Sequence, residues 1–298
     1  CGMVELITTL LSLYGNEKQR ETYLQKVLSF EIKVAYVITE AEAGSDVSAL
    51  KTSAEKTYDG WKLKGSKILI HNAPHAELGF VLARTKPELG HRGMSIFIVD
   101  LNSEGVSRSP KESKMGQRAS HVGSLFFDDV ILPEDALLGE PERGFYIMMG
   151  ALNKGRVGIG ALSVGIAQAG LDAALGYSME RKQFGKQLSE NQGIQWMLAD
   201  MVTEIQASRA LVHQAAIQID RKQDATAACS MAKSFSSDMA VRQTAEAVQI
   251  FGGGGYIRGM EVERLYRDAK FTQIYEATNH NQRNIIAREL IKNAPSGN

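Results

Sequence analysis

Cysteine is almost missing from this chain: Cys1 and Cys229 are the only two in 298 residues. Two thiols so far apart do not make a disulfide framework, and the expectation is a reduced, intracellular protein. Excess charge of one sign is missing too, with 34 Lys+Arg against 34 Asp+Glu. Proteins that bind polyanions carry a basic excess, so no nucleic-acid partner is expected, although a local basic pocket is still allowed. No run reads as long and apolar enough to span a bilayer. The nearest, 157–171, is rich in Gly and Ala, carries Ser163 and Gln168, and reads as a close-packed internal helix, so no stable membrane insertion is expected. Residues 3–13 are apolar, but no basic segment precedes them and no small-residue cleavage site follows. They read as a core helix cut at its N-terminus, with the start of the protein missing.

Several catalytic signatures are also lacking. The histidines at 71, 75, 91, 121, 213 and 280 have no ligand spacing, and Pro74 keeps His71 and His75 off one helical face, so no metal is expected. There is no Walker A sequence and no G-x-S-x-G elbow. The four glycines at 252–255 do not fit G-x-G-x-x-G, because position 257 is Ile, and they follow a helical pattern instead of a strand.

What is present divides into three segments. Residues 1–30 read as helical, broken at Gly15-Asn16 and restarting over 17–30. Residues 31–135 read as strands, at 34–39, 61–70, 78–84, 94–100 and 122–131, with turn signals at Asp59-Gly60, Lys86-Pro87 and 102–105. No useful helix intervenes, which favours an antiparallel sandwich or barrel. Residues 136–298 read as a bundle of four or more helices, over 145–180, 224–251, 260–270 and 279–293 besides a helical stripe at 194–219, with a frayed tail at 293–298. Ile194, Leu198, Met201, Ile205, Ser208, Val212, Ala215 and Ile219 form a buried stripe at helical spacing.

Taken singly, the polar motifs are weak. TEAEAGSD (39–46) can present backbone N–H and hydroxyl groups to a phosphate or a flavin edge, or can simply form a turn. RKQFGK (181–186) suits a diphosphate with a stacked ring, or an ordinary helix end. The four glycines allow close approach of a pyrophosphate, or cap a helix. In YEAT (275–278), Thr278 or Asn279 is a candidate N-cap. Glu276 there is either a helix-edge carboxylate or, inside an apolar pocket, a general base.

Together, and in register, these segments resemble the acyl-CoA dehydrogenase family over about residues 14–292. The matches are YGNEKQRETYL (14–24), TEAEAGSD, LKGSKILIHNA (63–73), MGQRASHVGSLFFDDVILP (115–133), RKQFGK, QIFGGGGY (249–256) and RDAKFTQIYEATNHNQRNIIAREL (267–290). The resemblance implies an α+β chain: the remnant of an N-terminal helical domain (1–30), a middle antiparallel β-domain (31–135) and a C-terminal four-helix bundle (136–298). It implies FAD as cofactor, an acyl-CoA substrate, assembly as a homotetramer or homodimer, and an electron-transfer flavoprotein as acceptor. The compartment stays open, since a bacterial cytoplasm and a mitochondrial matrix both fit reduced cysteines.

Carried over residue by residue, the resemblance assigns Tyr36, Val37, Ile38 and Thr39 to the flavin ring, with a second flavin-facing strand from Lys67 to His71 that includes Leu69, Ile70 and His71. Ser45 lies near the FAD phosphates or the pantetheine of CoA. Arg181, Gln183 and Phe184, with Asn191 and Gln192 close by, reach the FAD of a neighbouring subunit. Gln249, Ile250, Gly252 and Gly253 surround the adenosine diphosphate end, and Thr278 and His280 return to the cofactor. Arg156, Tyr275 and Arg288 face the acyl-CoA. Glu276 is the implied base for the α-proton of the thioester, with the flavin accepting the β-hydrogen as hydride. A subset of the family carries its base at the position of Gly155, which has no side chain to serve.

The chain departs from the family pattern at Leu69, Ile70 and His71, where Trp-Ile-Thr is usual, and at Ala41-Glu42 in place of Pro-Gly. Ala277 replaces the usual Gly and is expected to crowd the pocket. His280 and Asn281 also differ from the common residues. Two other readings remain open: a catalytically silent flavin-binding or oligomerisation module, and an acyl-CoA oxidase that uses oxygen.

Overall fold

A computed structural model describes residues 2–294. Cys1, and the part of the expected tail from 295 on, lie outside the described residues. The chain divides into two compact units, Cys1–Ser113 with Arg118–Leu152, and Lys114–Gln117 with Asn153–Asn298.

The first unit opens with α1 (Gly2–Tyr14), whose Leu6, Ile7, Leu10 and Leu11 at i, i+1, i+4, i+5 form one fully buried face. Asn16 then starts α2 (Glu17–Gln19) with a reciprocal cap: its Oδ1 accepts from the Gln19 N–H, and Gln19 accepts from the Asn16 N–H. A π-helical turn over Arg20–Leu24 leads into α3 (Gln25–Leu28).

Eight strands follow: β1 (Val34–Val37), β2 (Ser53–Lys56), β3 (Gly60–His71), β4 (Leu78–Arg84), β5 (Met94–Asp100), β6 (Val106–Arg108), β7 (Val122–Pro133) and β8 (Leu137–Leu138). They form one sheet in the order β6-β7-β3-β2-β4-β5-β8, with β1 pairing β4. Most pairs are antiparallel as expected, but β1 runs parallel to β4, Val34 opposite Leu78 and Val37 opposite Val81, and β2 also meets β4 in parallel at Ser53 and Arg84, so the sheet is mixed. The apolar pattern of a strand reports which faces are buried. It does not report the direction of the partner.

β4 and β5 are apolar on both faces because both faces are covered. Phe80, Leu82, Ile96 and Ile98 pack with α1 residues in one core. Val81, Ala83, Phe97 and Val99 pack in a second core with Trp61 and Leu125. Trp61 meets Phe97 edge-on, with ring centroids 5.2 Å apart.

Helix α4 (Gly144–Glu180) starts in the first unit, where Ile147, Met148, Ala151 and Leu152 join the α1 core. By length and composition it is long enough and apolar enough to cross a membrane, which corrects the reading that no stretch is. Its apolar residues instead serve two protein cores. Val164, Ala167, Leu171 and Ala174 are buried in the second, and Arg156 is 5% exposed. A core helix meets the same length and composition test.

The second unit continues through the hairpin β9 (Lys182–Gln183) and β10 (Lys186–Gln187) into α5 (Gln192–Asp220). Met201, Ile205, Ser208, Val212 and Ala215 of the expected stripe are buried on α5, while Ile194, Leu198 and Ile219 are partly buried. α6 (Thr226–Phe251), α7 (Glu261–Thr272) and α8 (Asn279–Lys292) complete the unit. The segment Lys114–Gln117 joins this unit by hydrogen bonds to α7, including Arg267 Nη1 to the Met115 carbonyl at 2.7 Å.

Candidate active site

In the first unit the candidate residues cluster around a buried ion pair. On β3 the inward parity of Trp61 and Leu63 continues to position 67, which is a lysine with no exposed surface. Its Nζ lies 2.9 Å from Glu40 Oε1 and donates to the Ile38 carbonyl at 2.7 Å. Glu40 also accepts from the backbone N–H of Lys51 at 2.6 Å and of Thr52 at 2.9 Å. Burial pushes the Lys67 ammonium down to about 8, with Glu40 only partly offsetting it. Burial works to raise Glu40, but the Lys67 charge and the hydrogen bonds from Thr52 and Lys51 outweigh it and hold the carboxyl below its usual range. The pair fixes the segment 38–40 at the head of the TEAEAGSD loop.

Tyr36 donates its hydroxyl to the Met148 carbonyl at 2.7 Å, and Val37 and Ile38 are buried in different cores. Contacts from Val37 and Ile38 to any ligand therefore run through backbone. The Thr39 carbonyl accepts from Ile68 N–H at 2.9 Å, and Ser45 is exposed. The β3–β7 register breaks between Lys67 and Ile70, and there Leu69 takes φ +55° and turns outward, 60% exposed. Ile70 is buried, and His71 Nδ1 lies 2.9 Å from Ser120 Oγ.

In the second unit three elements converge. On α4, Arg156 is buried and donates to Asn153 Oδ1 at 2.6 Å. Beside it, Gly155 lies directly against Glu276: a Cβ at 155 would sit 2.8 Å from Glu276 Cδ and collide with the carboxylate oxygens. Glu276 stands in the loop between α7 and α8, where Glu276 (φ +52°) and Ala277 (φ +69°) are both left-handed. Thr278 is the N-cap of α8, its hydroxyl accepting from Asn281 N–H at 3.4 Å. Gln282 Nε2 donates to the carbonyls of both Glu276 and Ala277 at 3.1 Å.

The third element is α6. Lys233, wholly buried, donates to the Ala277 carbonyl at 3.0 Å and to Asn279 Oδ1 at 2.8 Å. Burial lowers its ammonium to about 7, against the raising effects of Glu276 and Asp238 and with Arg156 lowering it further. Asn279 Nδ2 donates to Asp238 Oδ1 at 2.7 Å. Tyr275 stacks on Phe271 with centroids 4.4 Å apart, and its hydroxyl is raised, chiefly by burial and further by Glu276, against a hydrogen bond with Gln117.

The other candidates in this unit stand outward. Arg181, Gln183 and Gln192 are exposed, Phe184 is 99% exposed, and Asn191 is partly buried, binding the carbonyls of Gln187 and Leu188. Gln249 and His280 are exposed, Ile250 is core, and Arg288 points outward beside Glu289 at 3.4 Å. Gly252 ends α6 at φ +62°, and among the described residues no heavy atom beyond the chain neighbours lies within 4 Å of a Cβ built on Gly252, Gly253 or Gly254. That open backbone fits the close approach of a dinucleotide diphosphate.

Lys67 lies in the strand that the resemblance assigns to the flavin, but its buried pairing with Glu40 was not expected, and neither was Lys233. The strand parity that points Lys67 inward was the available signal.

Residues 35–130 match the model of the acyl-CoA dehydrogenase middle domain, and 142–291 that of the acyl-CoA dehydrogenase C-terminal domain. An acyl-CoA dehydrogenase of Bacillus subtilis is 44% identical over 95% of this chain and 75% of the relative. The butyryl-CoA dehydrogenase structure from Megasphaera elsdenii superposes with TM-score 0.95 at 40% identity, over 97% of this chain and 76% of that one. A chain solved in work on the electron-transferring flavoprotein of Acidaminococcus fermentans and flavin-based electron bifurcation superposes with TM-score 0.96 at 40% identity, over 98% and 77%. The chain belongs to the acyl-CoA dehydrogenase family, a family of oxidoreductases. It spans about three quarters of the length of these relatives.

Proposed function

We propose that this chain carries out FAD-dependent α,β-dehydrogenation of a fatty acyl-CoA thioester to the 2-enoyl-CoA, with Glu276 as the base for the α-proton. The observation that carries the reading is the placement of the Glu276 carboxylate against the bare backbone of Gly155, beside the buried Arg156. Family membership supports acyl-CoA dehydrogenation in general. The assignment of the base and of a fatty acyl chain is the further step.

FAD, when bound, supplies the acceptor for the β-hydrogen. Thr39, the backbone of 36–38 and the strand at Leu69–His71 would hold its ring, Ser45 its phosphates or the pantetheine, and Gln249, Ile250, Gly252 and Gly253 its adenosine diphosphate end. Thr278 and His280 would complete the site. Arg181, Gln183, Phe184, Asn191 and Gln192 would serve a neighbouring copy in a homotetramer or homodimer. The near-complete exposure of Phe184 supports that assignment. An electron-transfer flavoprotein is the proposed acceptor and a bacterial cytoplasm or mitochondrial matrix the proposed compartment.

The chain's own work is to hold a carboxylate ready. An acyl thioester's α-proton is weakly acidic, so the base must be fixed within hydrogen-bond reach of it. Glu276 is fixed by its left-handed turn and by Gln282 on its carbonyl. Arg156, Tyr275 and Arg288 would receive the acyl-CoA, and the backbone N–H of Glu276 would steady the thioester oxygen as charge develops there. The test is an anaerobic absorption titration of the FAD-loaded chain with acyl-CoAs of increasing length. Bleaching by one class of chain supports the reading and names the substrate. A bound flavin that no thioester bleaches overturns it.

A further inference from the structure

The geometry points to Lys233 as a positioning residue for the Glu276 base, acting through the Ala277 carbonyl and the Asn279 side chain; this rests on Glu276 being that base. Lys233 reaches the loop through two hydrogen bonds. Its ammonium lies beneath the loop that carries Glu276 and donates to Ala277 O at 3.0 Å and Asn279 Oδ1 at 2.8 Å.

The loop needs such support. Two consecutive non-glycine residues, Glu276 and Ala277, are left-handed, a backbone state that persists only where the surroundings enforce it. Gln282 holds the two carbonyls from α8, and Lys233 holds the second from α6. Asn279 ties the arrangement together, accepting from Lys233 and Ser237 and donating to Ser237 and Asp238. Asp238 is itself fixed by Gln273 at 2.7 Å and Arg283 at 2.8 Å. One polar face of α6 therefore anchors both ends of the loop.

A wholly buried lysine is an expensive way to bind a carbonyl if that is its only task, because desolvation opposes its charge. The charged groups facing it are Glu276 from the loop, Asp238 from its own helix and Arg156 from α4. The ammonium stabilises the ionised form of Glu276, the form a base must have. Its proton affinity, lowered to about 7, accords with that crowded setting.

The test uses Lys233→Met and Lys233→Gln in the FAD-loaded chain, with Glu276→Gln as reference, and reads the anaerobic bleaching rate against pH. Lys233→Met is expected to bleach about 10²-fold more slowly, as a base displaced by about an ångström would. Its acid limb is expected to move up by about one pH unit, because the positive charge facing Glu276 is gone. Lys233→Gln keeps one donor for Ala277 O but no charge. It is expected to lose less rate and to show the same displaced acid limb. In the FAD-free chain, amides of 276–278 are expected to exchange about tenfold faster in Lys233→Met.

A merely structural lysine would alter exchange and stability and leave the acid limb where it was. If Lys233→Met does not fold, the acid limb of Lys233→Gln decides. An unmoved acid limb and a rate within about twofold of the parent, with Glu276→Gln silent, overturn the role of Lys233 alone. Bleaching retained by Glu276→Gln overturns the base reading and this inference with it.

Discussion

Gly155 and Glu276 compete for one space: a Cβ at 155 would lie 2.8 Å from the Glu276 side-chain Cδ. The glycine is thus a spatial requirement of the carboxylate on the neighbouring loop. Gly155→Ala tests this. Alanine is the better helix former by about 1 kcal/mol, so the helix itself gains. The carboxylate must shift, and bleaching is expected to slow by about 10²-fold with FAD still bound. An unchanged rate would mean that Glu276 moves aside freely.

Ala277 stands where the backbone favours glycine, at φ +69°. The left-handed state costs a non-glycine residue roughly 1–2 kcal/mol, and glycine's extra freedom in the unfolded chain takes back roughly 0.4–1. Ala277→Gly is expected to raise stability by about 0.5–1 kcal/mol in urea unfolding. A loss of stability would show that the alanine methyl packs well enough to offset its strain.

Gly253 separates cofactor binding from folding. Among the described residues, nothing beyond its immediate chain neighbours lies within 4 Å of its Cβ position. Gly253→Val is therefore expected to leave FAD-free stability within about 0.5 kcal/mol. FAD affinity, measured by flavin fluorescence, is expected to fall at least about tenfold, since the side chain would fill the space that the proposed function gives to the cofactor. Unchanged affinity would remove the glycine turn from the cofactor site.

The first unit contains a sharper energetic test. Lys67 and Glu40 are buried together, 2.9 Å apart. Removing one partner leaves the other charge buried alone, and Lys67→Met is expected to cost about 3–5 kcal/mol. The double variant Lys67→Met, Glu40→Gln is expected to recover a large part of that. A double variant no better than the single one would show that the hydrogen bond from Lys67 to Ile38 O matters more than the charge pair.

Both buried lysines bind protons less tightly in the folded chain, at about 8 for Lys67 and about 7 for Lys233, than the ordinary 10.5. Between those values and 10.5 the unfolded chain carries more protons than the folded one. The stability they contribute is therefore present above 10.5 and lost as pH falls through 8 and then 7. Urea unfolding from pH 7 to 10 should show a positive contribution to the slope, weaker in Lys233→Met than in the parent. A slope indifferent to that substitution would contradict the lowered proton affinity.

The sequence made much of this legible. β4 and β5 fall at 78–84 and 94–100 as read, because continuous apolar runs between turn signals mark strands covered on both faces. The α5 stripe and the Thr278 cap follow from period and cap chemistry. β2, β6 and β8 were missed: at four, three and two residues they are too short for alternation to register. The parallel pairing of β1 was invisible because side-chain pattern carries no strand direction. Glu276 was legible only through resemblance; alone it reads as a helix-edge carboxylate. Lys233 lies four residues after Cys229 and four before Ser237, on a face of small buried residues, and that spacing was its only mark.

The central claim, that Glu276 is the base, meets its most direct test in Glu276→Gln under anaerobic acyl-CoA titration. Glutamine keeps the shape and the loop and removes the proton acceptor. The expected result is a variant that holds FAD with an unaltered visible spectrum and is not bleached by any acyl-CoA that bleaches the parent. Bleaching at a rate near the parent's would mean that another group removes the α-proton, and the proposed role of the α7–α8 loop would fall.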